Sequence, residues 1–176
     1  MKLFIYIAVL VSFLPMANAQ ERISGPVFDF VETVRVDADM RVAKDEVLKV
    51  VFDTYRGAEG GKMNSTFLSA ARFINMHVDA GHPQENIKVA IVVHGSTSID
   101  VSQDAYYTTK HDGAKNANAD VIAALIKEGV DIYICGQSAA FRGVTRDNIL
   151  PGIKFSLSAM TAHAMLQKEG YSLIPW

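Results

Sequence analysis

Two stretches of the sequence, Ile87 to Val93 and Val130 to Ile134, constrain the fold more than any other feature. Each is a nearly continuous apolar run rich in Val and Ile. A strand with one wet face alternates apolar and polar residues, whereas a strand buried on both faces reads as an apolar run. Val47, Leu48, Val50, Val51 and Phe52 form a third such run, and Ile153 to Leu157 and Tyr171 to Ile174 form two shorter ones. Between them the apolar period changes. Phe67, Leu68, Ala71, Ile74 and Val78 fall at helical spacing after Asn64, a predicted cap, and Gly81 closes that helix. Val121, Ile122, Leu125 and Ile126 follow a second predicted cap, Asn118, and Gly129 ends that helix. A short helix is expected near Ser138, and another from Ala159 to Lys168, closed by Gly170.

Buried strands alternating with helices predict an α/β fold with helices on both faces of the sheet. The expected architecture is a flavodoxin-like three-layer sandwich with a mostly parallel sheet of about five strands. Residues 46–176 carry this pattern. Residues 20–45 are mixed and polar and read as an extended arm leading into the domain. The stretch from Ser96 to Gly113 is long and polar, and is expected to hold a short helix or a lid.

The N-terminus follows a different logic. Met1 and Lys2 precede an apolar run from Leu3 to Leu14, Pro15 breaks it, and Ala17-Asn18-Ala19 supplies small residues at a cleavage site. Residues 1–19 are therefore predicted to be a signal peptide cut after Ala19, which places the mature chain in the periplasm without stable membrane insertion. The net charge is −2 and no Lys/Arg cluster tracks a phosphate backbone, which argues against nucleic-acid binding.

Export makes the single cysteine informative. Cys135 has no internal partner, so it is a buried inert residue, a thiol paired with another molecule, or a free reactive thiol. Ligands gather at the carboxyl ends of parallel strands, and that rule selects His94-Gly95 and Cys135-Gly136-Gln137-Ser138. Gly136 lets the chain turn sharply after the strand, and a helix starting near Ser138 would aim its free N–H groups at the sulfur, favouring thiolate. His94 is a candidate base or hydrogen-bond partner for Cys135 if their strands are neighbours, and is otherwise a histidine hydrogen-bonded at a strand end. His77, His82 and His111 read as surface residues, and His163, flanked by Ala162 and Ala164, as a packed one. The histidines lack metal-ligand spacing, so no metal is expected. Loops that cradle an anion after a nucleophilic cysteine place Arg six residues on, where this sequence has Phe141, with Arg142 one position later. Acidic residues are scattered, and no spacing pairs any two.

The segment from Leu125 through Val130-Asp131-Ile132-Tyr133-Ile134-Cys135-Gly136-Gln137-Ser138 resembles the DsrE/DsrF-like family of sulfur-oxidation proteins, in particular its exported branch. Val92-Val93-His94-Gly95, the run from Leu150-Pro151-Gly152 to Ala162, and Leu166 to Tyr171 extend the resemblance across most of residues 46–174. It implies a flavodoxin-like fold and assembly as a homotrimer or homohexamer. It also implies a sulfur-carrier role in which Cys135 holds a persulfide and passes it to a partner thiol, with a sulfur-donor or sulfur-acceptor protein as partner. Gly95, Gly136, Gln137, Ser138, Tyr106 and Tyr107 would line that site, and no metal or organic cofactor is needed. The alternative is a non-catalytic oligomeric module that binds a small ligand or a protein, with Cys135 structural.

Overall fold

The structure is a computed structural model. It describes residues 22–175, so the expected signal peptide lies outside the described residues. The apolar runs become parallel strands β3 (Leu48–Thr54), β4 (Ile87–Val93), β5 (Asp131–Cys135), β6 (Lys154–Ser156) and β7 (Ser172–Pro175). They form one five-stranded sheet in the order β6-β5-β4-β3-β7, with every neighbouring pair parallel. The helices between them are α1 (Ser65–Asp79), α2 (Asp104–Tyr107), α3 (Ala119–Lys127), α4 (Gly136–Arg142) and α5 (Ala159–Lys168).

Strand periodicity divides the core in two. Val50, Phe52, Val89, Ile91, Val93, Ile132 and Ile134 point to one face, where Phe67, Ala71 and Ile74 of α1 and Val121, Ile122 and Leu125 of α3 pack on them. The other face carries Val51, Ala90, Val92 and the half-buried Tyr133, packed against Ala162 and Leu166 of α5. The chain steps across the sheet from β3 to β6 and then returns over the other face through α5 to reach β7 beyond β3. Crossovers of one hand demand this: reversing the direction of travel puts the helix on the opposite face.

The expected arm is more ordered than its polarity suggests. Strands β1 (Arg22–Ser24) and β2 (Glu32–Val34) form an antiparallel hairpin against α1. Phe28 and Val31 between and beside them are buried in the main core. Asn75 of α1, fully buried, clasps the hairpin: its Oδ1 accepts from the N–H groups of Val27 and Phe28, and its Nδ2 donates to the carbonyls of Phe28 and Val31.

Asn64 caps α1 as expected, accepting from Thr66 N–H at 3.0 Å. Asn118 stands at the start of α3 but does not cap it. Its Oδ1 accepts from Asn64 N–H at 2.6 Å, and its Nδ2 bonds Lys62 O and Asn116 Oδ1. Asp100 joins this cluster, its Oδ2 accepting from Ala58 N–H and Asn64 Nδ2. The loops beyond β3 and β4 are thus tied together by buried polar groups. Burial raises the Asp100 carboxyl above the ordinary range, against the lowering effect of the Ala58 and Asn64 hydrogen bonds and the nearby His111.

Residues 96–113 are not an open lid. Two 3₁₀ turns flank α2, and Thr97 through Ser102 and Tyr107 are buried. Three histidines depart from a plain surface role. His82 is buried with both ring nitrogens unpartnered, His77 bonds Phe73 O, and His111 stacks on Tyr107 at 4.1 Å.

Candidate functional site

Helices α4 and α5 follow β5 and β6, two neighbouring strands, and leave on opposite faces of the sheet. The gap between two such strand ends is where a doubly wound sheet opens a crevice. Cys135, the last residue of β5, sits there. Its sulfur accepts from Ser138 N–H at 3.5 Å, so the cysteine is itself the N-cap of α4. The first turn of α5 approaches from the other side, because β6 pairs Ser156 with Cys135.

Gly136 is required by this close approach. Its backbone does not take the left-handed conformation; instead, a Cβ at this position would lie 2.8 Å from Ser156 O and 3.3 Å from Leu157 O. Gly95 does adopt the left-handed conformation, at φ +56°, and a Cβ there would meet Tyr55 O at 2.5 Å. Its N–H donates to Ser138 Oγ at 3.1 Å, joining the loop after β4 to the helix after β5. Gln137 is exposed, with Nε2 directed at Leu157 O.

Two influences oppose each other at the sulfur. Burial alone would raise the thiol. Hydrogen bonds from the side chain and backbone of Ser138, and from the N–H groups of Ala159 and Gln137, outweigh it, so Cys135 ionises below the ordinary thiol range. The residue is 5% exposed and belongs to neither apolar cluster. It is shielded, and polar donors reach its sulfur.

On the α5 face, β3 and β4 bring further groups to the same end of the sheet. Asp53 follows Val51 on that face, and His94, directly beyond β4, follows Val92. Val93 pairs with Ile134, so His94 and Cys135 stand side by side at the next level of adjacent strands and on one face. His94 Nε2 bonds both Asp53 oxygens, at 3.1 and 3.2 Å. His163 reaches down from α5 and bonds Asp53 Oδ1 through its own Nε2 at 2.7 Å. The strands of His94 and Cys135 are neighbours, the condition on which a pairing of the two residues depended, but the hydrogen-bond partner of His94 is Asp53.

A model of the DsrE/DsrF-like family matches residues 49–176. The chain belongs to the DsrE/DsrF-like family. Two solved structures share the DsrE-like fold. The Methanobacterium thermoautotrophicum protein of unknown function MTH1491 is 17% identical with a TM-score of 0.53, and ychN protein from E. coli is 12% identical with a TM-score of 0.54. Each alignment covers 73% of this chain and 99% of the other. No curated protein matches the chain. Within the DsrE-like domain, the segment carrying the family resemblance ends at the crevice between β5 and β6.

Several expected site residues converge there: Cys135, Gly136, Gln137, Ser138, Gly95 and His94. The tyrosines do not. Tyr107 is fully buried, and its hydroxyl accepts from Gly61 N–H. Tyr106 donates to Arg142 O, at the far end of α4 from Cys135. Of the short helix or lid expected in this polar stretch, the structure has the short helix α2, and the two tyrosine rings fill the core and brace a helix end. Asp53 and His163 were missed. Asp53 lies within an apolar strand run and His163 was assigned to packing; their separation of 110 residues leaves no local pattern that pairs them.

Proposed function

We propose that this protein is an exported sulfur carrier in which Cys135 holds a persulfide and hands its outer sulfur to a partner thiol. The observation that carries the reading is the Cys135 sulfur at the starts of two helices, where N–H and hydroxyl donors favour the anion. Membership of a family associated with sulfur relay supports it. The Cys135 thiolate attacks the sulfane sulfur of a donor persulfide. A bond forms between Sγ and that sulfur, and the donor's S–S bond breaks, releasing the donor as thiolate. An acceptor thiolate then attacks the outer sulfur, and Cys135 leaves as thiolate. The two steps are exchanges with no net oxidation. The donors that lower the thiol's pKa would also stabilise the terminal persulfide anion, and His94, at the end of the adjacent strand, would help orient it.

The same reading includes export through residues 1–19 and assembly into a homotrimer or homohexamer. Leu157 and Met160, at 74% and 79% exposure, stand at the α5 start, and Phe141, at 95%, at the last turn of α4; a neighbouring subunit would cover this apolar surface. Intact-mass spectrometry tests the chemistry. After incubation with polysulfide and desalting, the wild-type chain is expected to gain the mass of one or more sulfur atoms, and Cys135→Ser none. An unmodified wild-type Cys135 removes the carrier reading.

A second reading, a small-ligand module with Cys135 structural, is favoured by a different observation. A cleft of about 420 Å³, beside α4 and not including Cys135, is lined by Gly57, Ser96, Asp100, His111, Phe141 and Arg142 among others. Asp100 Oδ1 and His111 Nε2 are both buried without partners there. If a ligand raises the melting temperature equally in wild type and Cys135→Ser, and polysulfide leaves both unmodified, this second reading replaces the first.

A further inference from the structure

Asp53, His94 and His163 form a connected set that the sulfur-carrier reading does not require. Three elements supply them: the end of β3, the residue after β4, and the middle of α5. One carboxylate accepts from two imidazoles. A carboxylate has no proton to donate when ionised, so each Nε2 must carry the hydrogen. In neutral His94 this leaves Nδ1 as the proton acceptor. His163 Nδ1 is buried and unpartnered, so that ring's recorded bond is the one to Asp53.

Strand register then sets the direction. Asp53, His94 and Cys135 lie at the carboxyl ends of β3, β4 and β5, three consecutive strands, and all face α5. Asp53 from β3 bonds His94 and Tyr55 stacks on it at 5.8 Å, His163 from α5 shares the Asp53 carboxylate, and the register of β4 and β5 sets Cys135 at the neighbouring strand end. Arg56 lies over the outer Tyr55 ring, 5.2 Å from its centroid. The one carboxylate among these faces His94 from the side away from the sulfur.

We propose that Asp53 and His163 are positioning residues that hold His94 in the Nε2–H tautomer, so that His94 Nδ1 takes the proton from Cys135. The proposal rests on the sulfur-carrier reading for its biological use, but the proton transfer can be tested without sulfur. One proton leaves Cys135 Sγ and arrives on His94 Nδ1, giving a thiolate and an imidazolium. Asp53 balances the imidazolium, and the N–H groups at the α4 and α5 starts balance the thiolate. His163 fixes the carboxylate by holding Oδ1, and ties α5 to the sheet. No hydrogen bond joins His94 to Cys135 in this structure; with Nε2 held by Asp53, one bridging water carries the proton from Sγ to Nδ1, and such contacts are often long before substrate arrives.

The test combines thiol alkylation with nitrogen NMR of the full mature chain. Wild-type His94 is expected to show protonated Nε2 and unprotonated Nδ1 at alkaline pH. In Asp53→Asn the tautomer is expected to become mixed, and the iodoacetamide rate of Cys135 near neutral pH to fall by about tenfold or more. His163→Gln should fall between the two, because it loosens the carboxylate without removing it. His94→Gln should abolish the imidazole-dependent limb of the pH–rate profile. Circular dichroism and melting temperature identify variants that remain folded. Folded Asp53→Asn with a profile superimposed on wild type overturns the proposal; so does a wild-type His94 that carries its proton on Nδ1. If Asp53→Asn fails to fold, the wild-type tautomer decides. Alkylation needs no sulfur donor: a shifted profile in a chain that polysulfide never modifies would leave the proton relay standing and remove the carrier reading.

Discussion

Cys135 owes its character to what surrounds one atom. Ser138 acts twice, through its N–H and its hydroxyl, and the hydroxyl is itself held by Gly95 N–H. Ser138→Ala is therefore expected to move the pH midpoint of Cys135 alkylation upward, toward an ordinary thiol. The sign for stability follows from linkage. A thiol that ionises more readily in the folded chain contributes stability above its unfolded pKa, and that contribution is lost as pH falls through the lowered folded value. Wild type should lose its advantage over Ser138→Ala across that window, as read by denaturant titration at several pH values. Gly136→Ala places a methyl group against Ser156 O and is expected to cost about 1–3 kcal/mol of folding stability. At this scale the sequence is most readable where the chemistry is contiguous. Cys135, Gly136 and Ser138 lie within four residues at a strand end, and their roles follow from that place. Asp53 and His163 become partners only when two strands and a helix are assembled, and a lone Asp in an apolar strand carries no mark of it.

Elements show the same division. The apolar runs predicted every strand of the main sheet: β4 and β5 read as apolar because they are buried from both sides, while the edge strands β6 and β7, half-buried or exposed, read only as shorter runs. The N-terminal hairpin was hidden, since its short strands are held by Asn75 and Arg72 of α1 and by the buried Phe28 and Val31, not by a pattern of their own. Asn75 makes four hydrogen bonds to backbone groups of residues 27–31. Asn75→Ala would strand those groups and is expected to cost about 2–4 kcal/mol. Proteolysis should then appear first within residues 22–34, before the sheet is attacked. Asn118 illustrates a different failure. Its residue type marked the helix start correctly, but a cap and a cross-link between loops use the same amide, and only the neighbouring Asn64 N–H decides between them.

Across the whole molecule the two faces of the sheet are unequal. Helices α1 and α3 cover one, and among the described residues α5 is the helix that packs the second apolar cluster on the other. The oligomer proposed above would use apolar surface near the crevice, so sedimentation of the wild-type chain is expected to show a species larger than a monomer. Leu157→Glu with Met160→Glu, both at exposed positions, should shift it toward monomer while circular dichroism stays unchanged. A monomeric wild type at micromolar concentration would remove that assembly. The sheet's order has one more consequence. β3 is the first of its strands to be synthesised and sits between β4 and β7, the latter the last strand described. Until β7 has been synthesised and has left the ribosome, one flank of β3 has no strand beside it and exposes a bare row of amide and carbonyl groups. A nascent chain of this design can collapse early, but it cannot lock. Its final maturation is timed by the arrival of Ser172 to Pro175.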